Sequence, residues 1–557
     1  MRRPAFAWAT RDPDTVAADL EALPSRPLIS VVMPTYETEP RHLRAAIWSV
    51  ATQEYPNWEL VIIDDGSANG ATRRELARWD ARDQRIVVRM LERNSGISAA
   101  TNVGVEQCRG ELVGFLDHDD ALTADALLHM ARAFTGAEID IAYSDQDKIT
   151  AGGHRIDPFL KPDWSPVYAL GAMYVGHLLV TRRELIREVG GLDPAFDGIQ
   201  DFELLLRMSE RADRIHHIGR VLYHWRAIEG SIALESSEKP GIDELQARAV
   251  NEHLRRRDIR AHAVPHGRIE HRVRLEPGPL DPSPSVSVVI PTRGGDAQAL
   301  APLLERTSYP HLEIIVAQPE WVGGNGVLEE TVIRVGEPGE TFNPGRSANL
   351  GAARARGEWL LFLGEDVEVT EPDWIERLLA HAELPAVGAV GPTLTRPDGL
   401  VDEAGLAIGL YDPVVPAMQG FDADSDGYYG SLSCAREVSS LGMDCLLIRR
   451  ADFDRVGGFE EAYSRQHQAH DLCMRLAELG LSCVCAPGPR TITHSTEARR
   501  LADFDVADRA LFVERFYKRL QAGDPYYNRG FFRAAADYAL PPFEGDPQEI
   551  ALRETVA

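Results

Sequence analysis

Two acidic runs carry the chemistry legible in this sequence. The apolar run Leu60 to Ile63 ends in Asp64-Asp65-Gly66-Ser67, and the run Leu112 to Leu116 ends in Asp117-His118-Asp119-Asp120. The first is also a common turn sequence. The second is harder to leave to a turn: three carboxylates within four residues repel one another unless a cation or a donor network holds them, and hard oxygen ligands suit Mg2+ or Mn2+. A third cluster, Gly198-Ile-Gln200-Asp201-Phe-Glu203, precedes an apolar run, where Asp201 is either a helix N-cap or a positioned carboxylate. The stretch His217 to Arg226 sets two histidines and two arginines in and around a short apolar strand, which makes His224 a candidate metal ligand beside the acids.

These residues need elements that bring them together. Val- and Ile-rich runs (Ile29 to Met33, Leu60 to Ile63, Leu112 to Leu116) alternate with helix-length segments (His42 to Thr52, Thr72 to Arg82, Ala121 to Phe134). That alternation predicts an α/β fold with a mainly parallel sheet covered by helices. Such sheets bind ligands beyond the carboxyl ends of their strands, where the acidic runs fall.

The chain has 557 residues, and 59 Lys plus Arg against 86 Asp plus Glu leave a formal charge of −27. The acidity argues against nucleic acid or an anionic membrane as the main partner, yet allows a nucleotide held through a divalent ion. Hydrophobic residues at 44% place the chain among ordinary folded proteins. Six cysteines are too few for a disulfide scaffold, so a reducing, cytoplasmic setting is expected, with Cys483 and Cys485 as buried structural thiols. The longest weakly polar stretch, Tyr168 to Val180, contains His177 and is too short to span a bilayer, so membrane contact is expected to be peripheral.

The second half repeats the first. Ile29-Ser-Val-Val-Met-Pro-Thr35 matches Val286-Ser-Val-Val-Ile-Pro-Thr292, Tyr55-Pro56 matches Tyr309-Pro310, and Thr101-Asn-Val-Gly104 matches Ala348-Asn-Leu-Gly351. Gly110 to Leu116 matches Gly357 to Leu363, and Val189-Gly-Gly-Leu192 matches Val456-Gly-Gly-Phe459. The Pro-rich stretch between the copies reads as a linker. The expected organisation is a lead over 1–26, a domain over 27–275, a linker over 276–284, a second domain over 285–500 and an extension over 501–557.

Taken in order, Val-Val-Met-Pro-Thr-Tyr, Ile-Ile-Asp-Asp-Gly-Ser, Phe-Leu-Asp-His-Asp-Asp, Gln-Asp-Phe-Glu-Leu and Tyr-His-Trp-Arg resemble the inverting family 2 glycosyltransferases with the GT-A nucleotide-sugar fold. Tyr143-Ser-Asp-Gln-Asp-Lys148, Phe159-Leu-Lys-Pro-Asp-Trp-Ser-Pro166 and Gly176-His-Leu178 are similar to the branch that builds bacterial surface polysaccharides such as O-antigen. The resemblance implies two tandem, Rossmann-like GT-A domains with a mainly helical C-terminal extension. It implies a UDP-, dTDP- or GDP-sugar donor, Mn2+ or Mg2+, and a glycan or lipid-linked acceptor. Thr35, Glu37, Asp64 and Asp65 would line the base and ribose pocket. Asp117-His118-Asp119 is similar to the DxD motif, with Asp119 on the metal and Asp117 towards the ribose or the metal's water. His224 would complete the metal site and Asp201 would be the general base. Asp145, Asp147, Lys148 and Trp164, with Gln200, Trp225 and Arg226, are either sugar or acceptor contacts or ordinary loop residues.

Aligning the copies makes the second one degenerate. Gln318-Pro319 stands at Asp64-Asp65, Gly364-Glu365-Asp366 at Asp117-His118-Asp119, and Ala469 or Gln468 at Asp201, while His494 is expected opposite His224. Neither Ala nor Gln can accept the proton. The first domain is therefore expected to be active and the second to pack or to bind the growing glycan. A bifunctional enzyme and a non-catalytic assembly subunit are the alternatives. A sugar-1-phosphate nucleotidyltransferase would need a Gly-rich loop that Pro34 to Glu39 lacks. The stretch Asp524 to Gly530 is expected to pack on the surface.

Overall fold

The computed structural model describes residues 11–150, 152–227, 241–278, 282–293, 301–317, 332–335, 342–494 and 504–541. They fall into two compact units, one within 1–164 and 173–253 and the other within 165–172 and 254–541.

In the first unit β1 (Ile29–Thr35), β2 (Trp58–Asp64), β3 (Ile86–Met90) and β4 (Leu112–Phe115) run parallel. With β5 (Ala121–Leu122), β6 (Ile141–Ile149), β7 (Arg155–Phe159), β8 (Leu179–Arg182) and β9 (Ile215–Arg226) they form one sheet in the order β3-β2-β1-β4-β8-β6-β9-β5, with β7 on β6. All of β2 and nearly all of β1 is buried, as unbroken apolar runs require when helices cover both faces. The helix Pro40–Ala51 starts on a proline that needs no N–H partner and buries Leu43, Ile47 and Val50 along one stripe. Each such side chain stabilises the fold by roughly 1.5–3 kcal/mol. The chain leaves β1 for β2 and β3 on one side and returns to β4 on the other, so a crevice opens at the carboxyl ends of β1 and β4.

The segment Ala121 to Phe134, expected as one helix, is divided. Ala121 and Leu122 pair with His224 and Tyr223 of β9, and the helix runs only over Ala126–Gly136. The pairing wins because Asp120, just before it, is already tied to β9 by two hydrogen bonds described below.

The sheet of the second unit follows the same path: Val332–Val335, Leu312–Ala317, Val286–Pro291, Trp359–Leu363, Cys445–Arg449, Val387–Thr395, Ser482–Thr493 and Val367–Val369. Its internal braces also repeat. Ser30 Oγ donates to Glu59 at 2.6 Å and accepts from the Gly110 N–H at 2.9 Å, while Arg109 closes on Glu59 at 2.6 Å. Ser287, Glu313, Gly357 and Arg356 make the same four-residue brace at 2.5, 2.8 and 3.3 Å. Asn102 brackets Leu192 with two bonds of 2.8 Å, and Asn349 brackets Phe459 with two of 2.9 Å.

The units do not divide at the Pro-rich stretch. The hairpin Ala261–Pro265 with Val273–Pro277 packs on the helix Trp374–Ala382, and the helix Pro166–Gly171 packs on the strand Arg436–Val438, both within the second unit. Glu437 there accepts from Ser165 Oγ and from the Val167 N–H. Prolines mark where regular structure stops, not where packing partners change.

The C-terminal helix Val506–Ala522 buries Phe512, Phe516 and Leu520 against Ile408, Tyr463 and Met474. The segment after it is internal to the unit, not a surface tail. Buried Asp524 accepts from the Ile408 N–H at 2.8 Å and the Tyr526 N–H at 2.7 Å, and Tyr527, Phe531 and Tyr538 stack into a cluster with Tyr428. All six cysteines are buried unpaired thiols. Among the described residues no helix is long and apolar enough to cross a membrane.

Candidate active site

At the end of β1 Thr35 lies opposite Asp64, the last residue of β2. The Thr35 hydroxyl is bonded to that of Thr38 at 2.6 Å. Asp64 is fully buried, and neither of its carboxylate oxygens has a hydrogen-bond partner among the described residues. Its neighbour is spent on structure: Asp65 accepts from the Ser95 N–H at 2.8 Å and the Gly96 N–H at 3.0 Å. Glu37 likewise holds the loop after β2, accepting from the Ala68 N–H at 2.6 Å. Gly96 has φ +93°, and a Cβ there would meet Asp197 Oδ2 at 2.5 Å. Asp197 in turn accepts from the Ser98 N–H at 3.2 Å. Two carboxylates, Asp65 and Asp197, thus converge on the amino end of the helix Ile97–Gln107, where unpaired N–H groups favour negative charge.

The acidic run after β4 splits by role. Asp117 and Asp119 keep 41% and 23% of their side chains exposed at the crevice, with His118 Nδ1 3.7 Å from Asp119. Asp120 is buried, accepting from Tyr223 OH at 2.6 Å and the Arg226 N–H at 2.7 Å, and Arg226 Nε donates to the Asp119 carbonyl at 2.6 Å. Burial, with Asp119 and Asp117 adding to it, pushes the Asp120 carboxyl well above its ordinary range. Arg226 thereby braces the loop through its backbone N–H and its Nε; its partner Asp120 stood in plain view as the fourth residue of the run.

The β6–β9 register sets Asp147 beside His224, and Asp147 Oδ1 holds His224 Nδ1 while Arg155 binds the other oxygen. This fixes the ring so that a metal would be met through Nε2. Asp145 accepts from the Lys161 N–H at 2.7 Å and is bound by His217 Nε2 at 2.8 Å. Both aspartates, which the sequence offered as sugar or acceptor contacts or as loop residues, are buried in β6 and engaged by these partners. Lys148 lies 3.4 Å from Asp157, Trp164 stacks on Tyr174, and Trp225 packs against the core.

Asp201 stands in the first turn of the helix Gln200–Ser209, past the cap residue Ile199, so it is not an N-cap. One oxygen accepts from the Phe202 N–H at 2.9 Å, and Gln200 turns back to the Gly198 N–H at 2.8 Å. Burial raises the Asp201 pKa above the usual carboxylate value; the charge of His177 and the Phe202 N–H oppose the rise, and Asp117 adds to it. His177, 3.6 Å from Asp117 and stacked on Tyr223, thereby joins the two acids. Its backbone is held by buried Lys161, whose ammonium donates to the Val175 and His177 carbonyls at 2.6 Å and is pushed down to about 7 by burial. His177 and Lys161 sit in motifs the sequence displays, but nothing in the motifs assigns them a role.

The braces fix the equivalent positions of the second unit. Arg207 binds Glu203 and the Val189 carbonyl, as Arg475 binds Asp471 and the Val456 carbonyl, so Ala469 takes the place of Asp201. Four residues past Asp117, Ala121 pairs with His224; four residues past Gly364, Glu368 pairs with Ile492. Ile492 therefore occupies the His224 position, and His494, expected there, lies two residues beyond and contacts Glu368 at 2.9 Å. The alternation of a strand makes a two-residue offset invisible to the apolar pattern. Gln318 and Pro319 lie outside the described residues.

Comparison with known proteins gives the class to which this fold and its acidic crevice belong. The glycosyl transferase family 2 profile matches residues 30–190 and 324–456, and the chain belongs to that family. It is 35% identical over 570 residues to the O-antigen biosynthesis protein RfbC of Myxococcus xanthus, covering 98% of this chain and 44% of that protein. It is also 35% identical over 539 residues to the uncharacterized protein y4gI of Sinorhizobium fredii, covering 93% of this chain and 59% of that one. The chain thus spans about half the length of these relatives. The crystal structure of S. aureus TarS 1-349 overlaps 41% of this chain and 72% of its own at 20% identity and a TM-score of 0.32.

Among the described residues no three His, Cys, Asp or Glu side chains form a closed metal cage. Mg2+ and Mn2+ in phosphate-transfer sites take one or two carboxylates and complete their shell with substrate oxygens and water. Asp117 and Asp119, partly exposed at the crevice, and His224, oriented by the buried Asp147, are residue types with the donor chemistry for that arrangement.

Proposed function

We propose that the first unit transfers a sugar from a nucleoside-diphosphate sugar to a hydroxyl of a glycan or lipid-linked acceptor, with inversion, in the assembly of a bacterial surface polysaccharide such as O-antigen. One observation carries this reading. On two equally braced scaffolds, Asp117, Asp201 and His224 stand in the first unit where Gly364, Ala469 and Ile492 stand in the second. The name of the M. xanthus relative supports the polysaccharide context.

Asp64 offers two buried acceptor oxygens to donors on the nucleoside. Asp119 and Asp117, with His224, would hold the divalent ion, which when bound offsets the charge of the departing diphosphate. Asp201, one oxygen tied to Phe202, presents the other to the acceptor hydroxyl and takes its proton as the new bond forms. A single positioned base suffices for inversion. His177 beside Asp117 and Asp201 steadies both carboxylates as charge shifts between them. The second unit is proposed to be catalytically silent, and the enzyme to work at the cytosolic face of a membrane.

The test is a binding and hydrolysis screen of UDP-, dTDP- and GDP-sugars with Mn2+ on wild type, Asp119→Ala and Asp366→Ala. The expected result is metal-dependent binding of one donor, lost in Asp119→Ala and kept in Asp366→Ala. No donor binding with any metal would sink the reading, and equal loss in both variants would end the claim that the second unit is silent.

A further inference from the structure

We infer that the second unit contains a binding subsite for a neutral sugar residue, in a cavity of about 390 Å3 floored by Thr393 and Thr395. The inference rests on the reading of the chain as a glycan-modifying transferase, and extends it to a site that does no chemistry.

The floor is a rewritten part of the first unit. Strands β6 and Val387–Thr395 share their neighbours and the same irregularity of register, so Asp145 corresponds to Thr393 and Asp147 to Thr395. The first unit fills this level with two acid–histidine pairs, Asp145 with His217 and Asp147 with His224. In the second, the Thr393 hydroxyl is 3.7 Å from the Cys485 sulfur, and the Thr395 hydroxyl donates to the Thr491 carbonyl at 3.2 Å with Ile492 across from it in the register. Two acid–histidine pairs have become two hydroxyls, and both threonines line the cavity, whereas in the first unit Asp147 is also bound by Arg155.

The wall explains which ligand that space suits. Its three guanidiniums are each matched by a carboxylate that also lines the cavity: Arg268 to Asp424 at 3.1 Å, Arg274 to Glu276 at 3.1 Å and Arg377 to Glu371 at 3.6 Å. Burial pushes the remaining bases, His266 and His381, down towards the neutral form. The lining therefore carries no net charge, and a phosphate or nucleotide would have to displace a wall carboxylate to find a cation. Among the described residues, His266 Nδ1 has no hydrogen-bond partner and Glu371 Oε2 has only its 3.6 Å ion pair with Arg377. A hydroxyl can donate to one atom and accept from another, so a polyhydroxylated ring answers the mixture of carboxylates, guanidiniums and threonines, while Leu170, Leu275 and Leu432 receive its C–H faces. The size falls within the range of small-ligand cavities, about 300–1,000 Å3.

The experiment uses the full chain and ligand-observed saturation-transfer NMR with methyl glycosides of glucose, galactose, rhamnose and N-acetylglucosamine. Thr393→Val removes one floor hydroxyl at constant shape, and Ser425→Trp fills the cavity from the loop that carries Asp424. At least one glycoside is expected to bind on the order of millimolar, about tenfold more weakly to Thr393→Val and undetectably to Ser425→Trp. Asp119→Ala should bind it unchanged. The inference is overturned if no glycoside binds, if the signal ignores Ser425→Trp, or if UDP or inorganic phosphate displaces it. Should Thr393→Val misfold, Ser425→Trp decides. Absent nucleotide-sugar binding with an intact glycoside signal would overturn the transferase reading alone.

Discussion

Asp64 sets stability against function in a way that can be measured. Its strand is buried at every position, and both of its oxygens lie in the interior without a hydrogen-bond donor among the described residues. An unsatisfied buried polar group costs about 1–3 kcal/mol. Valine fills a central strand well and brings no polar atom, so Asp64→Val should stabilise the ligand-free first unit by about that amount. For a unit of this size each kcal/mol moves the unfolding midpoint by roughly 2–4 °C. The same substitution should abolish the response to donor nucleotide. Wild type at a hundredfold excess over Kd gains about 2.7 kcal/mol from binding, and the variant should gain none. Scanning calorimetry with and without the nucleotide found in the donor screen reads both effects. A ligand-free variant less stable than wild type would refute the view of Asp64 as an uncompensated acid. A nucleotide-induced shift as large as that of wild type would refute its role in the donor pocket.

Two further outcomes bear on the chemistry. Asp201→Asn should lower kcat by about 100- to 10,000-fold with donor binding unchanged, and the wild-type rate should rise with pH through a value above the ordinary carboxylate range, because only the deprotonated form accepts the acceptor's proton. Between the unfolded and the raised folded pKa the native state binds more protons, so Asp201 removes stability as pH rises; the Asn variant should lose this decline as well as activity, and a fully active variant would dismiss the base assignment. Asp147→Asn should weaken Mn2+ affinity by about 10- to 100-fold by releasing the His224 ring, read by Mn2+ titration of donor binding, whereas an unchanged titration would leave His224 without a metal role.

The fold was largely legible because buried parallel strands write themselves as apolar runs, and the duplication could be read from ordered repeats such as Ile29 to Thr35 and Val286 to Thr292. The acids at strand ends were legible for the same topological reason. What stayed hidden is set by pairing across the sheet. That Asp147 turns to His224, that Asp120 is a brace while Asp119 faces the crevice, and that Ile492 replaces His224 all depend on register, which repeats every two residues and leaves no mark in composition. The place of residues 165–172 in the second unit was invisible too, since a short helix carries no label for the surface it will meet.

The shared amino end of the helix Ile97–Gln107 has a consequence for the order of events. Asp65, next to the proposed donor-pocket acid Asp64, and Asp197, four residues before the proposed base, are fastened to backbone groups only a few residues apart, with Gly96 wedged between them. A displacement at one carboxylate is felt at the other through a few backbone bonds, without any travelling domain. With those proposed roles the two substrates would not meet independent sites: seating the first would set the aim of the group proposed to activate the second. Under the roles proposed for Asp64 and Asp201, the helix end would tie the addition of donor to that of acceptor, so that the base is correctly pointed only once both are seated.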